Sequence, residues 1–185
     1  MRGQNGWCVW LTGLPGSGKS TIANLLVEKF KVKNARVQLI SIDMLRRAVT
    51  PKPSYSKKER DTVYAALVFS ARLLTENDVN VIIDATGNRR RYREEARRQI
   101  EKFIEVYLRC PLDLCMIREK ERKDTHLAPK KIYRKGLAGK SQTVPGVNVP
   151  YEESEHSELT LNTEKQTPDE SVQRISDLIA ELYGK

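Results

Sequence analysis

The chain has 185 residues, 39% of them apolar, which suits one soluble globular domain with a full core and leaves no room for a low-complexity architecture. Thirty-three Lys and Arg against 24 Asp and Glu give a formal charge of +9, favouring an anionic partner such as a nucleotide, an acidic metabolite or nucleic acid. The three cysteines, Cys8, Cys110 and Cys115, are odd in number and lack Cys-x-x-Cys spacing, so neither a disulfide framework nor a zinc site is expected.

The first apolar run, Cys8-Val9-Trp10-Leu11-Thr12, reads as a short buried strand. It is too short for a signal peptide, and no run is long enough to span a membrane, so a cytoplasmic protein is expected. Gly13-Leu14-Pro15-Gly16-Ser17-Gly18-Lys19-Ser20 follows, a full match to the phosphate-binding pattern G-x-x-x-x-G-K-[ST]. A triphosphate needs many backbone N–H donors converging on its oxygens, and glycines permit that approach. Lys19 is expected to bring an ammonium to the β- and γ-phosphates, and the Ser20 hydroxyl to complete the shell of a Mg²⁺ ion. Thr21 to Val27 continues with helical spacing, placing a helix dipole behind the phosphates.

Val37 to Ile42 reads as the second strand, with Asp43 one residue beyond it. A carboxylate there can orient a hydroxyl nucleophile and accept its proton in phosphoryl transfer. The competing reading is an N-cap of the helical segment Met44-Leu45-Arg46-Arg47. A helix is expected from about Lys57 to Thr75, then a strand over Val79 to Ile83 closed by Asp84, a candidate for supporting the metal and alternatively a turn residue.

Further helices are expected from after Asn88 to about Lys102, over Leu112 to Arg122 and over Pro168 to Tyr183, with strands at Phe103 to Leu108 and Leu159 to Leu161. This alternation predicts an α/β fold: a three-layer α/β/α sandwich with a mainly parallel sheet, of the phosphate-loop nucleoside triphosphate hydrolase and kinase type. Ligands then collect at the carboxyl ends of the strands. The run Arg89-Arg90-Arg91-Tyr92-Arg93 with Arg97 and Arg98 is expected to be mostly a solvated helix face, with Arg90 and Glu94 at salt-bridge spacing; a nucleic-acid patch is the alternative. The basic, apolar-poor stretch 119–142 contains Pro129, Gly136 and Gly139 and reads as a mobile lid within a single domain, 1–185. Arg118 and Arg122 could close over ATP from there.

The chain resembles the adenylylsulfate kinase family from end to end. The resemblance rests on Gly13 to Ala23, Tyr55-Ser56 with Glu59-Arg60, Phe103 to Leu108 followed by Cys110-Pro111-Leu112, Ile132-Tyr133-Arg134-Lys135, Leu137-Ala138-Gly139, Pro150-Tyr151-Glu152 and Glu158 to Thr163. It implies transfer of the γ-phosphate of ATP to the 3′-hydroxyl of adenylyl sulfate, Mg²⁺ as cofactor and a homodimer. The family's D-G-D-x-x-R segment falls on Ser41 to Arg46, matching Asp43 and Arg46 but not Ser41. Its adenine-stacking aromatic falls on Tyr55 and a substrate-binding arginine on Arg60. A second adenine-facing Phe falls on Val144, an Asn on Val63, a Lys on Gln142 and an I-S-P segment on Thr86-Gly87-Asn88, and about nine residues are added between Arg118 and Ile132. Ile82 to Arg90 is instead similar to the D-[AT]-[TN] strand end of polynucleotide-kinase-like and other small phosphate-loop kinases. Two other readings follow: the same enzyme with a nucleoside or RNA 5′ end as acceptor, and a nucleotide-dependent regulatory protein without transfer activity.

Overall fold

The computed structural model describes residues 6–124 and 128–184. Five strands, β1 (Cys8–Thr12), β2 (Val37–Ser41), β3 (Asn80–Asp84), β4 (Phe103–Arg109) and β5 (Leu159–Asn162), form one parallel sheet in the order β2-β3-β1-β4-β5. The helices are α1 (Lys19–Val32), α2 (Ile42–Val49), α3 (Lys57–Glu76), α4 (Arg90–Gln99), α5 (Leu112–Glu121), α6 (Ile132–Leu137) and α7 (Pro168–Tyr183).

Parallel strands are covered on both faces, so β1 reads as an unbroken apolar run rather than an alternation. Trp7, Val9 and Leu11 face α1 and α7, packing with Leu26, Phe30 and Ile175. Cys8 and Trp10 face the other way, among Val63, Tyr64 and Leu67 of α3 and Ala96 of α4. The three layers expected from sequence are therefore present.

Helix ends follow local chemistry. The Ser56 hydroxyl accepts from the Glu59 N–H to start α3, and α7 opens on a full capping box between Thr167 and Glu170 with Pro168 in the first turn. Several boundaries differ from the sequence reading, most by a single residue. Ile42 opens α2 instead of ending β2, Asp84 is the last residue of β3, and α4 stops at Gln99 because Ile100 turns extended and buries itself. The sequence reading also left out α6, which lies inside the stretch read as a lid and buries Tyr133 and Gly136; residues 125–127 of that stretch lie outside the described ones.

The arginine-rich helix departs most from expectation. Arg93 is 1% exposed, and its Nε donates to Glu105 Oε1 at 2.7 Å from the adjacent strand β4. The remaining donors of Arg93 reach the carbonyls of Gly87 and Glu152. Arg90 pairs with Glu155 rather than Glu94, Arg89 with Glu152, Arg91 with Asp61 and Arg97 with Glu158. For Arg89, Arg90 and Arg97 the physical reason is that a chain segment rich in acids, 152–158, runs beside α4 within reach of long guanidinium arms, while Arg91 reaches Asp61 on the neighbouring α3.

Removing one member of a buried ion pair leaves the other charge uncompensated. Arg93→Met is therefore expected to cost about 3–5 kcal/mol of unfolding free energy, toward the lower end because Arg97 Nη2 stays 3.8 Å from Glu105. Urea unfolding measures this, and a cost as small as that of an exposed pair would show that Arg93 is not needed in the core.

Candidate active site

The phosphate loop connects β1 to α1 at the centre of the sheet. Gly13 and Gly16 hold φ angles of 149° and 85°. A Cβ at Gly13 would stand 2.6 Å from the Leu108 carbonyl oxygen and one at Gly16 would stand 2.4 Å from that of Cys115, so glycine is required at both positions by backbone contact. Lys19 Nζ donates to the carbonyls of Gly13 at 3.0 Å and Leu14 at 2.9 Å, which folds the side chain over the loop. Burial lowers the Lys19 pKa, while the charges of Asp84 and Asp43 act to raise it.

Strand pairing brings two carboxylates to the loop. Ser41 is in register with Asp84, and Asp84 also faces Leu11 across β1, so the ends of β2, β3 and β1 meet. Asp84 Oδ2 accepts from the Ser20 hydroxyl at 2.6 Å. Asp43 lies two residues past Ser41, in the first turn of α2. The N-cap of α2 is Ser41, so the reading of Asp43 as a cap is not the one realised. Burial raises the Asp43 pKa, the negative charge of Asp84 adds to this, and Lys19 and Arg46 oppose it.

Beyond the carboxylates, the turn before α3 presents Tyr55 with a φ of 54°. The Arg46 guanidinium carbon sits 4.8 Å from the centre of the Tyr55 ring, and Arg46 Nη1 donates to Glu59 Oε1 at 2.7 Å. Glu59 also accepts from the hydroxyl of Ser54 at 2.6 Å and from the backbone N–H groups of Ser54 and Tyr55. Burial pushes the Glu59 pKa up, but these hydrogen bonds and Arg46 outweigh it and hold the carboxyl below its ordinary value. Arg60 donates to Tyr55 O at 3.1 Å, Asn88 Oδ1 at 3.2 Å and the Thr143 carbonyl, joining three separate segments.

A cavity of about 900 Å³ contains Pro15 to Thr21, Asp43, Arg46, Tyr55, Arg60 and Asp84 on its wall. The sheet order divides it. Asp43, Tyr55 and Asn88 belong to the β2 and β3 side, whereas Arg118, Thr163, Gln166 and Pro168 belong to the β4 and β5 side, with the phosphate loop between. On that second side, Arg118 Nη2 donates to Thr163 O at 2.8 Å. Of the positions where the chain departs from the family pattern, Val144 is on the cavity wall, and Val63 is fully buried against the sheet. Gly87, at a φ of 53°, is enclosed by Trp10 and Arg93 and donates its N–H to the Tyr64 hydroxyl at 2.9 Å.

Glu59, Asn88, Tyr133 and Thr143 were not among the sequence candidates. The Ser56-x-x-Glu59 spacing is a helix-start signal that could have singled out Glu59. Asn88, Tyr133 and Thr143 come from distant segments; Asn88 and Tyr133 fall in segments aligned with the family pattern, but nothing local marks what any of the three touches.

The residues fit a nucleoside triphosphate and a divalent cation. The Ser17 hydroxyl is buried in the loop with no hydrogen-bond partner among the described residues, and Gly13, Gly16 and Gly18 themselves carry no side chain to obstruct a phosphate. Ser20 and Asp84 offer the two oxygens of a hard-cation site that phosphate oxygens and water would complete. Among the described residues no cluster of three or more His, Cys, Asp or Glu could hold a metal by itself. No helix among them is long and apolar enough to cross a membrane.

A central phosphate loop in a five-stranded parallel sheet, with one carboxylate at the end of β3 and another in the first turn of α2 facing its lysine, defines a phosphate-loop kinase. The family model for adenylylsulphate kinase matches residues 5–162, and the chain belongs to that family. It is 35% identical over 181 residues to the adenylyl-sulfate kinase of Halothermothrix orenii, covering 98% of this chain and 93% of the relative. The adenylyl-sulfate kinase of Rippkaea orientalis is 35% identical over 179 residues, covering 97% and 94%. Among solved structures, the Mycobacterium tuberculosis APS kinase CysC in complex with AMPPNP and APS superposes with a TM-score of 0.84 at 29% identity, covering 95% of this chain and 98% of that one.

Proposed function

We propose that this chain transfers the γ-phosphoryl group of ATP to the 3′-hydroxyl of adenylyl sulfate, the substrate named for its relatives. The observation that carries the reading is the half-buried Asp43 carboxylate sharing one cavity with Lys19 and Ser20, while Tyr55 and Arg60 lie on the same wall. The loop N–H groups and Lys19 hold the phosphates of ATP, whose base extends toward Arg118 and Thr163. Ser20 and Asp84 hold Mg²⁺, which when bound neutralises phosphate charge.

On the acceptor side the Tyr55 ring stacks on the adenine, and Arg46 and Arg60 hold the anionic group. Asp43 orients the 3′-hydroxyl and takes its proton as the new O–P bond forms and the bond to the departing ADP oxygen breaks. The protein's work is positioning and charge stabilisation. A coupled assay of ADP release checks the reading: release should depend on adenylyl sulfate, and no stimulation at millimolar acceptor would remove this substrate.

The lid is the part of 119–142 outside α5 and α6: Arg122 and Lys140 stand on the cavity wall, whereas Glu119 and Tyr133 are buried in the body of the protein. The protein works in the cytoplasm, which suits three free, buried cysteines. It assembles as a homodimer, so light scattering should give about twice the chain mass of 21.2 kDa; a mass of one chain would exclude the dimer.

A further inference from the structure

The outer wall of the phosphate loop is built by a small cluster apart from the two main cores. Cys110, Cys115, Tyr133 and Val144 are its buried members, with Leu14 and Leu112 packed against them. Tyr133, on α6, is 2% exposed, and its hydroxyl donates to the Pro15 carbonyl oxygen at 2.7 Å across 118 residues of chain. That carbonyl belongs to the loop peptide that joins Pro15 to Gly16, and both residues line the cavity.

A trans peptide is planar, so its C=O and N–H point in opposite directions. With the Pro15 oxygen tied outward to Tyr133, the Gly16 N–H is turned toward the cavity, where phosphate oxygens bind. Gly16 has no Cβ to resist a flip of this peptide. A flipped peptide would aim a carbonyl dipole at the phosphates and replace attraction by repulsion. We propose that Tyr133 is a positioning residue of the donor site: its hydroxyl holds the Pro15–Gly16 peptide in the orientation that binds the triphosphate.

Burial pushes the Tyr133 pKa well above its ordinary value, so the hydroxyl remains a donor throughout the working pH range. The same cluster reaches the acceptor side. Val144 packs with Tyr133, and the carbonyl of the preceding residue, Thr143, accepts from Arg60. The donor loop and the acceptor arginine are thus set against one rigid cluster.

The inference rests on the reading of residues 13–20 as the ATP site and not on the identity of the acceptor. Tyr133→Phe removes the hydroxyl and keeps the ring. Tyr92→Phe is the control, since its hydroxyl bonds Asp61 away from the loop. Calorimetric titration with an ATP analogue, without acceptor, is expected to show affinity about 5- to 30-fold weaker in Tyr133→Phe and unchanged in Tyr92→Phe. In steady-state kinetics the loss should fall on kcat/KM for ATP and spare the KM of the acceptor. Wild-type ATP affinity in Tyr133→Phe, or an equal loss in Tyr92→Phe, would overturn the role of Tyr133. Failure of the wild-type protein to bind the analogue would overturn the ATP reading with it.

Discussion

Asp43→Asn is expected to lower kcat by about 10²–10⁴-fold while ATP affinity is retained. The variant keeps the shape of the side chain and removes only its ability to accept the proton of the attacking hydroxyl. Two further results should accompany the loss. Because burial and Asp84 raise the Asp43 pKa, the acid limb of the wild-type kcat profile should lie at higher pH than an ordinary carboxylate would give. A carboxyl whose folded-state pKa is raised binds its proton more tightly when folded, so its ionisation costs stability as pH rises through that pKa. Asp43→Asn should therefore melt no lower than the wild type near neutral pH, and thermal unfolding beside the kinetics separates lost chemistry from lost fold. Activity of Asp43→Asn comparable to that of the wild type would remove Asp43 from the reaction.

Lys19→Met is expected to reduce kcat/KM for ATP by about 10²–10³-fold. Lys19 is the buried cation that faces both carboxylates, and its charge works in two ways. In the proposed reaction it meets the phosphates, and its charge favours the ionised form of Asp43. Its loss should thus weaken ATP binding and also move the acid limb further toward neutral pH. Nucleotide titration and the pH profile of residual activity read the two effects separately. A variant that lost affinity with no movement of the acid limb would show that Lys19 and Asp43 are not electrostatically coupled.

Much of this architecture is legible in the chain because the central strands are buried on both faces. The unbroken run at Cys8 to Thr12 and the loop after it locate the centre of the sheet, and the helical spacing after Lys57 and Pro168 locates α3 and α7. What escapes a reading of local pattern is interaction between distant segments. Six residues, one of them Gly136, are too few to show helical periodicity, so α6 and the Tyr133 bond to Pro15 do not show in sequence. Arg93 looks like one more surface arginine, yet Glu105 inside the apolar run of β4 is the trace of its buried partner.

The candidate site divides in the same way. The phosphate loop is contiguous in sequence and is therefore recognisable as a motif. The acceptor wall combines Asp43, Tyr55, Arg60, Asn88 and Thr143 from separate segments. Val63 illustrates the consequence: at a family substrate position it lies fully buried in the core and offers no polar group.

Transfer of label from γ-labelled ATP, in a mixture of adenylyl sulfate and RNA bearing a 5′-hydroxyl, decides which acceptor the site was built for. The label should appear on the 3′-hydroxyl of adenylyl sulfate and disappear with Asp43→Asn. Label on the RNA, or release as inorganic phosphate alone, would contradict the assignment.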